Sequence, residues 1–295
     1  MSEAKPTNES PGSTTVLVLN YNGRQYLDDC FASLGNMDVF VPGQPGIVQD
    51  GAHPTRVWLV DNGSVDGSVE HVARHHPWVR VVANESNLGF SRAYNRAARL
   101  CESRWLAFLN NDTRVKPDWI SALHSAAERH PEAAAIASRI MSWDEGRIDF
   151  VGADTFFTGH ALQHDVGAPA RRRHFAERPV LFGCAGALML RRDLFLELGG
   201  FDPAYFSFFE DVDLGWRMAL AGRQTWFAPD AVVRHRLHAT WGDCLRRGRL
   251  SRHRAYRCRW KRVPSLHCSI VAGSSVPQAL IQHWGMECGK CDHNL

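Results

Sequence analysis

The sequence predicts an α/β fold, a mostly parallel central sheet with helices on both faces. Two observations carry this. Short apolar runs rich in β-branched residues alternate with helix-period segments through the first half of the chain, which is the pattern of repeated βα units. Three of those runs also stop directly on polar clusters, at 20–23, 61–66 and 110–113. In parallel sheets ligands bind beyond the carboxyl ends of the strands, so the three clusters are expected to converge on one edge. Composition agrees: with 44% hydrophobic and 22% charged residues in 295, a packed core is available and global disorder is excluded.

Thr14–Leu19 reads as a buried strand broken by Asn20-Tyr21-Asn22-Gly23. Tyr26, Leu27, Cys30, Phe31 and Leu34 fall on one face of a helix, and Asn36–Thr55, rich in Gly, Pro and Asp, reads as a surface loop. Arg56–Val60 is a second strand, stopped by Asp61-Asn62-Gly63-Ser64, and Asp66 is placed to cap a helix reaching about His75. Val79–Ala83 is a third strand, Ser91–Glu102 a helix, and Trp105–Leu109 a fourth strand ending in Asn110-Asn111-Asp112-Thr113. Pro117 suits the first turn of a helix running to about Arg129.

The second half is less regular. Ala133–Arg139 reads as a strand and Met141–Arg178 as a long surface excursion. Val180–Leu190 is the longest run free of polar residues, too short for the roughly 20 residues of a membrane-spanning helix. Arg192–Leu198 and Asp211–Ala221 read as helices, with Thr225–Ala228 and Ala231–Val233 as short strands around Pro229. Met1–Ser13 is polar and reads as a disordered leader, not a secretory signal. Cys30, Cys101 and Cys184 sit singly in apolar patterns, so reduced thiols and a cytoplasmic location are expected.

The polar clusters suggest chemistry. Asn110-Asn111-Asp112 supplies oxygen ligands of the kind that hold Mg²⁺ or Mn²⁺ together with substrate phosphates, although Asn and Asp after a strand also serve as turn formers. Asp61 is a carboxylate able to accept from a nucleobase or ribose, or to cap a turn. Glu210-Asp211-Val212-Asp213 follows the aromatic run Tyr205–Phe209. Acids there satisfy a helix N-terminus, and a carboxylate buried among aromatics is also suited to act as a general base. His235 and His238 are spaced i, i+3 after a strand, as a metal ligand or as simple filler.

Taken together these words resemble family 2 glycosyltransferases, in particular a rhamnosyltransferase-like branch. The resemblance rests on Val-Leu-Asn-Tyr-Asn-Gly (18–23), Val-Asp-Asn-Gly-Ser-Val-Asp-Gly-Ser (60–68), Asn-Leu-Gly-Phe-Ser-Arg-Ala-Tyr-Asn (87–95) and Leu-Asn-Asn-Asp-Thr (109–113). It continues through Gly-Cys-Ala-Gly-Ala-Leu-Met-Leu-Arg-Arg (183–192), Gly-Gly-Phe-Asp-Pro-Ala-Tyr-Phe (199–206), Phe-Glu-Asp-Val-Asp-Leu-Gly-Trp-Arg (209–217) and His235, and so spans about residues 14–242. It implies a GT-A fold with a Rossmann-like sheet, divided here as a leader 1–13, a catalytic domain 14–243 and a weakly ordered tail 244–295. It implies a metal-dependent, inverting transfer of a sugar such as rhamnose from a nucleotide-diphosphate donor to a saccharide or lipid-linked acceptor in cell-surface polysaccharide synthesis. By family role Tyr21 lines the base pocket, Asp61 binds base or ribose, and Asn87, Gly89 and Asn95 shape the nucleotide and diphosphate region. Asn110, Asn111 and Asp112 occupy the Asp-X-Asp position. Asp112 and His235 then hold Mg²⁺ or Mn²⁺, Asp211 with Glu210 supplies the base, and Gly186 and Ala187 line the loop where donor sugar and acceptor meet.

The tail departs from the family. Arg246–Arg262 holds nine Lys or Arg and no acid, and five of the eight cysteines lie from Cys244 onward. Three readings stand: a basic surface for the anionic inner face of the cell membrane, a zinc site on Cys288 and Cys291 with His293 and Cys268 or His267, or an aberrant C-terminus that impairs the enzyme. Two other functions are weighed. A nucleotidyltransferase would show a Gly-rich phosphate loop, of which Asn20–Arg24 is a poor version. A nucleic-acid binder would leave the acids at 210–213 unexplained, and the net charge of +3 does not argue for one.

Overall fold

The computed structural model describes residues 13–37, 48–50, 53–155, 161–170 and 175–236. The leader before residue 13, part of the 36–55 loop, His238, and the tail 244–295 with its candidate membrane and zinc residues lie outside the described residues.

The first half alternates as its pattern predicts. Strand β1 (Thr14–Asn20) leads to helix α1 (Arg24–Gly35), and β2 (Val48–Asp50) and β3 (His53–Asp61) lead to α2 (Ser68–His75). Strand β4 (Arg80–Ala83) precedes α3 (Phe90–Leu100), β5 (Trp105–Asn110) and β6 (Thr113–Val115) precede α4 (Trp119–Arg129), and β7 (Ala133–Ser142) follows. Strands β4, β3, β1 and β5 lie side by side and parallel, so their carboxyl ends share one edge. Val16, Leu17 and Val18 of β1 are fully buried, as a central strand covered on both faces requires. Helix α1 buries Leu27, Cys30, Phe31 and Leu34, a one-sided stripe that docks on the sheet.

Beyond β5 the sheet becomes mixed. Strands β8 (Ile148–Phe150), β9 (Ala153–Thr155), β10 (Ala161–Gln163), β11 (Arg178–Val180) and β12 (Ala187–Arg191) precede α5 (Arg192–Glu197), α6 (Glu210–Leu220) and β13 (Gln224–His235). Strand β12 runs antiparallel between β5 and β7, and β13 lies parallel to β7. Eleven strands form this sheet among the described residues.

Three expectations need correction. The segment 141–178 is not a surface excursion throughout, because β8 pairs with β7 and Ile148, Phe150, Val151 and Ala153 are buried. The two strands expected around Pro229 are one strand, whose register against β7 slips between Ala228 and Val232. A proline donates no ladder hydrogen bond, so it is tolerated at such a bulge. The 36–55 stretch is not all loop, since Val48–Asp50 pairs antiparallel with the start of β3.

An aromatic cluster joins the halves. Phe201 packs within 5.1 Å of both Phe108 and Phe195 (ring centroids) and lies 5.8 Å from Phe90. Truncating so buried a ring loses its transfer free energy and leaves a cavity. Phe201→Ala is expected to cost about 3–5 kcal/mol, read as a lower urea midpoint at unchanged slope. A loss under about 1 kcal/mol would show that the cluster does not bind the halves together.

Candidate active site

The three polar clusters do converge. The buried Asn20 carboxamide at the end of β1 donates to Asp61 Oδ1 at 2.9 Å and to Ser64 Oγ at 3.1 Å, and its Oδ1 accepts from Asn111 Nδ2 at 2.7 Å. One side chain thus ties the ends of β3 and β5 to that of β1. Asp61 also accepts from the Ser64 amide through Oδ2 at 2.9 Å. The knot is so tight that a Cβ at Gly23 would lie 2.2 Å from Asn111 Nδ2. Tyr21, by contrast, is exposed, 45% accessible.

A second amide network extends the edge. Asn62 donates to Asn87 Oδ1 at 2.8 Å and accepts from Asn84 Nδ2 and the Leu88 amide, each at 3.0 Å. Asn87 in turn accepts from the Gly89 amide at 2.9 Å. Gly89 has φ +79°, and a Cβ there would sit 2.8 Å from the Phe206 carbonyl oxygen, so the start of α3 can approach the 199–209 loop only through glycine. Asn95 plays a different part from direct ligand contact. Its carboxamide is spent on the backbone of Phe201, donating to the carbonyl at 2.7 Å and accepting from the amide at 2.9 Å. It shapes the site by holding the Gly200–Phe201 turn.

Across β5 lie the acids. Asn110 donates its amide to the Gly186 carbonyl at 3.0 Å, which brings the 184–187 loop beside the Asn110–Asp112 cluster. Asp112 is buried, with Oδ1 3.3 Å from His235 Nε2, while His235 Nδ1 lies 2.7 Å from Asp149 Oδ2. Burial pulls the His235 pKa down, but hydrogen bonds to Asp112 and Asp149, with their charges, outweigh it and hold the imidazole up to about 10. With Nδ1 oriented by Asp149 and Nε2 3.3 Å from Asp112, the imidazole has the support pattern of a metal-ligating histidine, and an ion bound there would displace the Nε2 proton. The residues therefore fit a divalent ion held by Asp112 and His235, with remaining positions left for phosphate oxygens and water.

Asp211, half-buried at the start of α6, accepts from the Ala185 amide at 3.2 Å and the Val212 amide at 2.8 Å. Burial pushes its carboxyl up, against these hydrogen bonds. Glu210 turns inward. It is buried, its Oε2 has no hydrogen-bond partner, and burial followed by the Asp211 charge drives its carboxyl well above the ordinary range. The two acids therefore occupy different environments: Asp211 meets the 184–187 loop through the Ala185 amide, and Glu210 is buried with one oxygen unpartnered. Phe208 and Phe209 just before them both have positive φ, 69° and 67°, a costly backbone for bulky residues that the surrounding structure must hold. Cys184 is no thiolate, since burial and then the Asp211 charge raise its pKa well above the ordinary value.

Residues 15–199 match glycosyl transferase family 2. The chain belongs to that family. Within it, the chain is 33% identical over 214 residues to N-acetylglucosaminyl-diphospho-decaprenol L-rhamnosyltransferase of Mycobacterium tuberculosis, covering 64% of this chain and 69% of that one. It is 30% identical over 190 residues to pre-mycofactocin glycosyltransferase of the same organism, 61% of this chain and 37% of that one. The family match and the rhamnosyltransferase relative place it in the rhamnosyltransferase-like branch, and the protein is a glycosyltransferase. Its fold is GT-A. GalNAc-T7 with UDP, GalNAc and Mn²⁺ superposes with a TM-score of 0.60 at 16% identity, over 77% of this chain and 44% of that one. The mannosyltransferase PcManGT from Pyrobaculum calidifontis with GDP-Man and Mn²⁺ gives 0.55 at 17% identity, over 81% and 61%. No helix among the described residues is long and apolar enough to cross a membrane.

Two members of the site escaped the sequence reading, Asp149 and Asn20 as a knot. Asn20 sat inside a quoted motif, and its position at a strand end was the available signal. Asn20→Ala removes three hydrogen bonds and leaves Asp61 and Asn111 short of partners. It is expected to lower unfolding free energy by roughly 1–3 kcal/mol by denaturant titration. An unchanged midpoint would show that the knot carries no weight.

Proposed function

We propose that the protein is a metal-dependent, inverting glycosyltransferase that moves a sugar, rhamnose in the favoured reading, from a nucleotide-diphosphate donor to a lipid-linked saccharide acceptor in cell-surface polysaccharide synthesis. The observation that carries it is the placement of one raised carboxylate, Asp211, against the 184–187 loop, across Asn110 from the Asp112–His235 pair. The rhamnose and lipid-linked readings rest on the name of the Mycobacterium tuberculosis relative, and the divalent ion on the Mn²⁺ in the GT-A neighbours.

In this reading Tyr21 stacks on the base, Asp61 accepts from base or ribose, and Asn87 and Gly89 hold the strand-end backbone against the nucleotide. A divalent ion bound by Asp112 and His235 would neutralise charge developing on the leaving diphosphate. Asp211 takes the proton of the acceptor hydroxyl, whose oxygen attacks the anomeric carbon from the face opposite the diphosphate. Burial raises the Asp211 pKa toward the range where a carboxylate is an effective base. Gly186 and Ala187, lacking bulk, leave room where acceptor and sugar meet. One displacement inverts configuration, so no protein nucleophile is needed. A lipid-linked acceptor would bring the enzyme to the inner membrane face as a peripheral, cytoplasmic protein with domain 14–243 as the working unit. The knot at Asn20 takes the place of a Gly-rich phosphate loop, which disfavours the nucleotidyltransferase alternative.

Asp211→Asn is expected to lower transfer by at least about a hundredfold, within the range that general bases contribute, while Mn²⁺-dependent nucleotide affinity by calorimetry stays within about twofold. Asp112→Ala is expected to abolish the Mn²⁺ dependence of that affinity. Near-normal turnover by the Asn variant would remove Asp211 from the base role.

A further inference from the structure

Helices α1 and α2 carry a second cluster that the proposed transfer does not use. Asp28 Oδ1 on α1 receives two imidazoles, His71 Nε2 at 2.7 Å and His76 Nε2 at 2.9 Å, from α2 and its C-terminal cap. The three atoms lie within 4.8 Å of one another, and this is the one group of three such ligands among the described residues. The histidine side chains are largely buried, 10% and 13% exposed, while Asp28 is 65% exposed. The His71 ring is stacked on His75 at 4.4 Å, and His76 leans on Phe31 at 5.3 Å, so both imidazoles are held in place by packing.

We propose that Asp28, His71 and His76 form a second metal site, for a borderline transition ion such as Zn²⁺ or Co²⁺, that pins α1 to α2. The donor set is two imidazole nitrogens and one carboxylate oxygen with an open side toward solvent, where water completes a tetrahedron. Mg²⁺ demands oxygen ligands in an octahedron and is refused, which separates this site from the one at Asp112. With Zn–N and Zn–O bonds near 2.0–2.2 Å, neighbouring ligand atoms of a tetrahedron lie about 3.4 Å apart, so the 2.7 and 2.9 Å contacts to Asp28 must each lengthen by roughly half an ångström. An aspartate carboxyl is ionised at neutral pH, so Asp28 is an anionic ligand. Metal binding places each ring proton on Nδ1. In His71 that atom is buried without a partner. Lost outer support of this kind lowers affinity by about 10–100-fold relative to a fully supported centre.

Both pinned helices start at the candidate donor site. Asp66 ties their first turns, accepting from the Arg24 amide at 2.9 Å and from the Ser68 amide at 3.1 Å. An ion at Asp28 therefore stiffens the frame that carries Tyr21 and Asp61.

The test uses the full chain, without an affinity tag, carrying Asp112→Ala and His235→Ala so that the other candidate site is silent. Chelator-stripped protein is titrated with Co²⁺ in excess Mg²⁺. One equivalent is expected to bind with a nitrogen- and oxygen-type visible spectrum and to raise Tm. Adding His76→Gln is expected to remove that equivalent and the Tm rise. Asp28→Asn, at an exposed position, serves as the second variant should His76→Gln disturb folding. Unchanged stoichiometry in both variants, or bound Co²⁺ showing only the thiolate charge-transfer band that tail cysteines would give, overturns the proposal.

Discussion

The Asn20 carboxamide is the constraint on which the site depends. An amide has two donors and one acceptor oxygen, and burying it is costly unless they are used. Here the donors go to Asp61 and Ser64 and the acceptor to Asn111, so burial of one side chain fixes the ends of three neighbouring strands. Since β1 is the central strand of that trio, whatever binds at Asp61 is held in register with whatever binds at Asp112. The close approach of Gly23 to Asn20 and Asn111 follows from the same knot.

The second half supplies chemistry to this frame. Strand β12 pairs antiparallel with β5, which puts Gly186 opposite the strand end, and β13 finishes beside β6 with His235 against Thr113. Two acids adjacent in sequence then separate by environment. Asp211 meets two backbone amides, whereas Glu210 is buried with one oxygen unpartnered. Burial and then the Asp211 charge raise the Glu210 carboxyl well above its ordinary range, so the two adjacent acids differ in how readily they hold a charge.

Much of this was legible in the sequence because it is written in short range. The alternation of apolar runs and the polar residues ending them report where parallel strands stop, and parallel strands stop on one edge. Asp149 was not legible. Its strand is three residues long, one alternation shows no period, and its partner His235 is 86 residues away. The family role given to Asn95, shaping the nucleotide region, does not say which way its side chain faces; its amide meets the Phe201 backbone 106 residues on. The Asp28–His71–His76 cluster was missed for the same reason, since an i, i+5 histidine pair acquires meaning only when another helix brings a carboxylate to it.

In the proposed function the strand-end knot, the Asp112–His235 pair and Asp211 form one site for a nucleotide and a divalent ion. Anomalous diffraction from crystals soaked with Mn²⁺ and a nucleoside diphosphate tests it directly. A peak bonded to Asp112 and His235, with the diphosphate on it and the base between Tyr21 and Asp61, is the predicted result. Nucleotide and Mn²⁺ seated elsewhere, with this edge left to water, would contradict it.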